Sequence, residues 1–542
     1  MKMQTDRQDR AAVGRASPNA STSVARGFGC GLACLLALLV ACEGTSPAGR
    51  TTGTGAGGAA AAGAGGTPTG PGTAGGGGQR TPSPSTVSLD GSPIYTRMQR
   101  LTNAQWERAV ADVLRFASPA NLSQGFSTPA VAESTEFSNN EKRLFVDQQA
   151  ELQLEAAAES AATLATGSAT ALARLYPAAD AEGLVRSVGR RAFRRPLTPE
   201  EETKYQGIFA LGEKLYGAGF ANGAALVIRA MLQSPKFLYR SELGPDGMPL
   251  DGYEVASKLS FWLLGTTPSD DVLDAAGAGQ LDSVDGLASA ARAMLAEPAA
   301  VEIMRDFHRQ LYELDRYQDI DTVGTSYRFF DAIFTRGEGL RAILTSTLLD
   351  PARPGFFMQL PFLALNRRGD TPDTIGRGVA LNRQVLCFDI AGHTAPVPAL
   401  APPAPGQTNR DRIEAATAGC DGCHADYIDP LGFAFESFDG AGQPRTFDNG
   451  APVDTTGSYP FADGSRRFSG AGELLRLMAD GAQAHTCYAK KLAGYALQRD
   501  IVDSDRPLLQ ELAEASRERS SKELIVSLVR NPAFRSRAGG MP

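Results

Sequence analysis

Thr198-Pro-Glu-Glu-Glu-Thr-Lys-Tyr-Gln-Gly-Ile-Phe-Ala-Leu-Gly-Glu-Lys-Leu-Tyr216 decides the fold class. A threonine that can cap, proline at the first helical position and acids in the first turn write a helix start. Gly217 and Gly219 write its stop. The same grammar recurs on both sides. Thr102-Asn-Ala-Gln105 is a capping-box pattern that opens an apolar stripe of Trp106, Val110, Val113 and Leu114. An Ala/Leu/Glu-rich stretch over about 140–175 has strong helix propensity. A helix is expected over about 221–232, ended by Ser234-Pro235. Asp251 caps another that carries Val255, Leu259, Trp262 and Leu263. Further helices fit about 269–277, 284–296, 299–314 and 337–349. No strand alternation is evident before about residue 360. The expectation is a mainly α protein.

The chemistry-bearing motif lies further on, at Cys420-Asp-Gly-Cys-His424. C-x-x-C-H is the attachment pattern of c-type haem. Two thiols add across the haem vinyl groups and the adjacent imidazole reaches the iron. A helix over about 408–416 leads into it. Phe433, Phe435 and Phe438 follow it and are expected to line an apolar pocket, with core packing as the bland alternative. The Pro430 carbonyl is expected to accept the second ring N–H of His424, and Arg445 to meet a haem propionate. Tyr488, Leu492, Tyr495 and Leu497, on a helix over about 485–499, resemble the terminal helix that covers haem in small cytochromes. The reading is multi-helical N-terminal domains followed by a C-terminal cytochrome-c-like helical domain, with one covalent haem c per chain.

The beginning of the chain speaks of export. Lys2, Arg7, Arg10, Arg15 and Arg26 precede an apolar run from about 32 to 40, too short to span a bilayer. It ends in Leu39-Val40-Ala41-Cys42, the form of a lipobox, which makes Cys42 the lipidation site. An ordinary signal peptide that contains a cysteine is the other reading. Glu43 rather than aspartate follows the cysteine, which favours an outer-membrane lipoprotein facing the periplasm or cell surface. Residues 44–93 are glycine, alanine, threonine, serine and proline with almost no large apolar side chain, the composition of a disordered tether. Some 50 such residues have a root-mean-square span of about 40 Å.

Of seven cysteines, cleavage removes Cys30 and Cys34, lipid consumes Cys42, and haem consumes Cys420 and Cys423. Cys387 and Cys487 remain, an even pair in an oxidising compartment, and are expected to form a disulfide. A zinc site of all four late cysteines, or a plain Cys420–Cys423 disulfide, are the alternatives. The zinc spacing fits no common finger. The formal net charge of −7 argues against nucleic acid as a partner. No G-x-S-x-G, H-E-x-x-H or phosphate loop occurs.

The iron's sixth ligand stays open between Met478, His485 and an unfilled position. The choice separates outer-sphere electron transfer from small-ligand chemistry. His308 reads as a core or boundary histidine. Arg190, Arg191, Arg194 and Arg195 read as a solvated basic face at a helix end. Asp429, Glu436 and Asp439 read as turn and cap groups.

These residues also carry a resemblance. Arg100-Leu-Thr-Asn-Ala-Gln-Trp106, Arg191-Ala-Phe-Arg-Arg-Pro-Leu-Thr198, Leu232-Gln-Ser-Pro-Lys-Phe-Leu-Tyr-Arg240 and Ala256-Ser-Lys-Leu-Ser-Phe-Trp-Leu263 are its first pieces. Leu386-Cys387, Cys420-Asp-Gly-Cys-His-Ala-Asp-Tyr-Ile-Asp-Pro-Leu-Gly-Phe433 and Leu492-Ala-Gly-Tyr-Ala-Leu497 complete it. In this order they resemble planctomycete-type and myxobacterial exported proteins built from adjoining domains of unknown function and a cytochrome-c-like motif. Such relatives have Gly-Arg after Tyr-Ala-Leu, where this chain has Gln498-Arg499. The resemblance specifies a family more than an activity.

The expected organisation is a lipoprotein signal peptide (1–41), a tether (42–93), helical domains (94–245 and 246–360), an extended Pro-rich connection (361–406), a cytochrome-c-like domain (407–502) and a helical tail (503–542). The expected function is an envelope-anchored c-type haem protein, an electron carrier or a haem-dependent redox enzyme. Its partner would be a redox protein or small redox substrate, and its membrane contact the lipid anchor only. The alternative is a non-catalytic envelope lipoprotein with structural cysteines that binds carbohydrate or protein.

Overall fold

The computed structural model describes residues 87–95, 97–127, 137–317, 323–365, 367–368, 371–390, 400–420 and 422–537. The signal peptide, Cys42, nearly all of the tether and the Pro396–Pro398 part of the connection lie outside the described residues. So does His393.

The described chain is mainly helical, as the capping grammar implies. Thr102 closes its box with Gln105 at 3.1 and 2.9 Å, and helix Asn103–Val113 follows. Thr198 does the same with Glu201, and helix Pro199–Tyr216 follows. That helix packs against Phe220–Leu232. Glycine makes the approach possible: a Cβ on Gly223 would stand 2.5 Å from the Phe209 ring. Trp106, Leu184, Val188, Val227, Met231 and Phe237 fill the N-terminal core. A short ribbon closes it, with Met98–Arg100 antiparallel to Tyr239–Ser241.

The basic cluster departs from its expected solvated face. Arg191 and Arg194 are buried. Arg194 sits left-handed at the end of helix Ala181–Phe193 and donates to the carbonyls of Ala192, Lys236, Phe237 and Tyr239 at 2.7–3.2 Å. Arg191 donates to the Val113 carbonyl at 3.0 Å. Burial pushes the Arg194 guanidinium down to about 9. Its planar donor fork gathers carbonyl groups from separate segments, a structural use of arginine.

The second core runs on without a break from Val255 and Phe307 through Phe356 and Phe435 to Met478, Leu492 and Leu524. The expected partition into 246–360, 407–502 and 503–542 is therefore not a partition of cores. Helix Ala482–Leu497 packs on Arg506–Glu518 and on Pro298–Leu311. Tyr488 and Tyr495 meet Phe307 at 5.9 and 5.3 Å, so this helix covers an aromatic core. His308 is the core histidine expected. Its ring nitrogens meet the Met304 carbonyl and the Tyr488 hydroxyl at 2.8 and 3.0 Å, and it stacks on Phe330 at 4.7 Å.

Two further elements escaped the sequence reading. The stretch expected to be extended contains helix Thr374–Gln384, capped by Asp373. Gly376 and Gly378 lower its propensity, so tertiary packing carries it. Thr456–Phe461 and Gly464–Ser469 form a hairpin. Its Gly457 and Pro460 disguise the alternation, although Tyr459, Phe461 and Phe468 are all buried. Among the described residues no helix is long and apolar enough to cross a membrane.

Candidate functional site

Helix Asn409–Thr417 begins at a Thr408–Asp411 capping box and delivers the chain to Cys420. The Cys420 carbonyl accepts the N–H groups of Cys423 and His424 at 3.1 and 3.0 Å, closing a tight turn. The Cys423 carbonyl then accepts from Ile428 at 3.0 Å, an i→i+5 bond. His424–Ile428 is thus one turn of π-helix, a widened geometry that occurs often at functional sites. In an α-helix, positions 424 and 429 would point about 140° apart. The wider turn brings them onto one side.

The result is a hydrogen bond of 2.9 Å between His424 Nδ1 and Asp429 Oδ1. The Asp429 side chain is 3% exposed and that of His424 22%. Thr417 Oγ1 donates to the other carboxylate oxygen at 3.0 Å. A carboxylate can only accept, so the proton of a neutral imidazole lies on Nδ1 and Nε2 keeps its lone pair. The expected acceptor, the Pro430 carbonyl, is turned away toward Gly457, whose would-be Cβ lies 3.1 Å from it. Asp429 is therefore more than a turn group.

The turn is held from behind by helix Thr374–Gln384. A Cβ on Gly378 would stand 2.0 Å from the Ile428 carbonyl oxygen, and one on Gly432 would stand 2.1 Å from that of Thr374. Only glycine allows these approaches. Asn382 donates to the Tyr427 carbonyl at 2.8 Å and accepts from the Tyr459 hydroxyl at 2.6 Å. The buried Arg377 donates to the carbonyls of Leu363, Phe435 and Asp439 at 2.9–3.3 Å.

Cys420 and Cys423 are exposed free thiols. Cys387 and Cys487 are bridged, with Cα atoms 5.2 Å apart, as expected. That bridge removes two ligands from the four-cysteine zinc reading. No cluster of three or more metal-ligating side chains occurs among the described residues.

Other expected site residues lie elsewhere. Arg445 is engaged by Glu436 at 2.5 Å and Asp448 at 2.8 Å, and its Nε donates to the Glu436 carbonyl. Two carboxylates already neutralise it, which removes the reason to offer it to a propionate. Glu436 also accepts from Asn409 at 3.0 Å, and Asp439 accepts turn N–H groups from Ala441 and Gln443. Phe433 is buried with the Arg410 guanidinium 4.4 Å over its ring, and Phe435 is core. All three phenylalanines, Phe433, Phe435 and Phe438, are buried. His485 has both ring nitrogens occupied, by Ser516 at 2.8 Å and the Ala479 carbonyl at 3.0 Å. Met478 is fully buried beside a cavity of about 20 Å³ with Leu386 and Phe461.

Two exposed thiols and a partly exposed imidazole whose Nδ1 alone is engaged fit the donor set of a covalent haem. Neither of the two cavities described for the fold is lined by that turn.

Five family models match the chain in order. Each is described as a protein of unknown function: DUF1587 over residues 99–167, DUF1595 over 180–242, DUF1592 over 250–347, DUF1588 over 353–448 and DUF1585 over 464–534. The set is typical of planctomycete-type multi-domain proteins. The DUF1588 match joins helix Thr374–Gln384 to the cysteine turn. The DUF1585 match joins helix Ala482–Leu497 to the tail. Both matches run across the expected boundaries at 360, 406 and 502. No curated protein and no solved structure matches the chain.

Proposed function

We propose that the chain is an envelope-anchored c-type haem protein, with one haem bound through Cys420 and Cys423 and with His424 as its proximal ligand. The observation that carries this reading is the His424–Asp429 hydrogen bond behind two exposed thiols in a single turn. When bound, haem supplies one-electron redox chemistry. The residues of this chain do the rest. Asp429 fixes the imidazole tautomer, holds the ring and raises the basicity of Nε2. Thr417 holds Asp429. Gly378 and Gly432 let helix Thr374–Gln384 brace the turn. His485 has both ring nitrogens occupied and Met478 is fully buried, so neither would be offered as a further iron ligand. That supports small-ligand chemistry over a Met/His electron carrier. Lipidation of Cys42 and an outer-membrane location belong to the same proposal, on the lipobox alone.

The test is a visible spectrum of the full chain produced in a host with cytochrome c maturation. A Soret band that survives acid–acetone extraction supports covalent haem, and a colourless protein rejects it.

A further inference from the structure

Away from the cysteine turn the fold encloses a cavity of about 300 Å³. That is the lower end of the range for small-molecule sites. Its wall is assembled from distant parts of the chain. Arg100 and Arg108 come from the first matched domain, Arg240 from the second, Lys258 and Trp262 from the third, and Tyr495 from the last. Four of the stretches that carry the family resemblance thus meet at one place.

The charge on that wall is uneven. Arg100, Arg240 and Lys258 are buried. Arg240 and Lys258 share one carboxylate, Glu242, with Lys258 at 3.1 Å. Among the described residues neither Arg100 nor Arg108 forms a close ion pair, although the exposed Asp147 acts on Arg100 from a distance. Arg100 donates to the Asn103 side chain at 2.8 Å, and Arg108 to the Gly265 carbonyl at 3.0 Å. Asp306 also lines the space but is already engaged by Arg309, Gln310 and the Tyr495 hydroxyl at 2.6–2.9 Å. The remaining acid, Glu302, is exposed. Burying cations that outnumber their acids is costly unless something else compensates them. Desolvation lowers the pKa of Arg100, in keeping with that cost.

Gln498 adds a further sign of construction. It ends helix Ala482–Leu497 in the left-handed region, φ 59°, where glycine is the easy residue. In return its side-chain oxygen accepts from Arg240 at 2.9 Å, within the cavity wall.

We propose that this cavity binds a small oxyanion, a carboxylate or a phosphate, whose charge is met by the Arg100 and Arg108 guanidinium groups, with Trp262 and Tyr495 forming the wall beside it. The inference is independent of the haem reading, since no residue of the Cys420–His424 turn lines the cavity.

The experiment is isothermal titration calorimetry on the full chain with its disulfide intact, at constant ionic strength. The probes are inorganic phosphate and D-glucuronate, with D-glucose as the neutral control. Saturable binding of either oxyanion is expected, weakened tenfold or more by R108Q and by R100Q, and unchanged by R328Q, an exposed arginine outside the cavity wall. Binding of phosphate alone or of glucuronate alone supports the proposal and assigns the anion. Should R100Q fail to fold, the half-buried Arg108 decides through R108Q, with its thermal unfolding as a control of folding. No saturable heat with either oxyanion, equal affinity in R108Q, or glucose binding as well as glucuronate would overturn the proposal.

Discussion

His424 Nδ1 and Asp429 Oδ1 are 2.9 Å apart across a single π-turn, and the carboxylate is buried while the imidazole is not. This pairing turns a short sequence motif into an oriented ligand. Asp429→Asn keeps the shape and removes the negative charge. In haem-loaded protein the reduction potential is expected to rise, because the less basic imidazole stabilises the oxidised iron less. A one-electron couple moves by about 59 mV for each tenfold change in relative affinity. Spectroelectrochemical titration of both proteins measures it. An unchanged potential would mean that Asp429 only holds the fold.

The Cys387–Cys487 bridge closes a sequence separation of 100 residues. The double variant C387A/C487A is expected to lose about 3–5 kcal/mol of stability. Urea denaturation with and without reductant checks it. Reductant should lower the wild-type midpoint and leave that of the double variant in place.

Gly378→Ala puts a Cβ 2.0 Å from the Ile428 carbonyl oxygen. Backbone must move, and a loss of roughly 1–3 kcal/mol is expected. Gly422 has open space around its would-be Cβ, so G422A is expected to stay within roughly 0.5 kcal/mol of wild type. Equal stability of the two variants in thermal melts would contradict the bracing role of helix Thr374–Gln384.

Burial pushes the His308 imidazole down to about 3. An unfolded histidine takes up its proton below about pH 6.5, while the folded one stays neutral to about pH 3. Protons therefore favour the unfolded chain across that window, and stability falls as pH falls. His308 alone contributes about 1.4 kcal/mol per pH unit there. His485 is shifted the same way by burial. Denaturant titrations from pH 6.5 to 5 are expected to show a shallower slope in H308Q than in wild type.

Helix starts at Thr102, Thr198 and Asp251 were legible because a cap and its third residue lie side by side in sequence. The disulfide was legible by counting. Long-range features were not. Arg194 looks like a surface charge until the carbonyls of Lys236 and Tyr239 arrive around it. The role of Asp429 depends on a π-turn that no propensity announces. Gln498, where the resembling proteins have glycine, occupies a left-handed cap and reaches Arg240. The cavity itself has no local signature, since its wall comes from four matched domains.

The central claim is tested most directly on a denaturing gel stained for haem peroxidase activity, with intact mass read on the same samples. Wild-type chain matured in a host that attaches haem is expected to stain and to carry the added mass of one haem. The C420S/C423S variant, produced alongside, is expected to do neither. An unmodified wild-type mass, or equal staining of the double variant, would contradict the account.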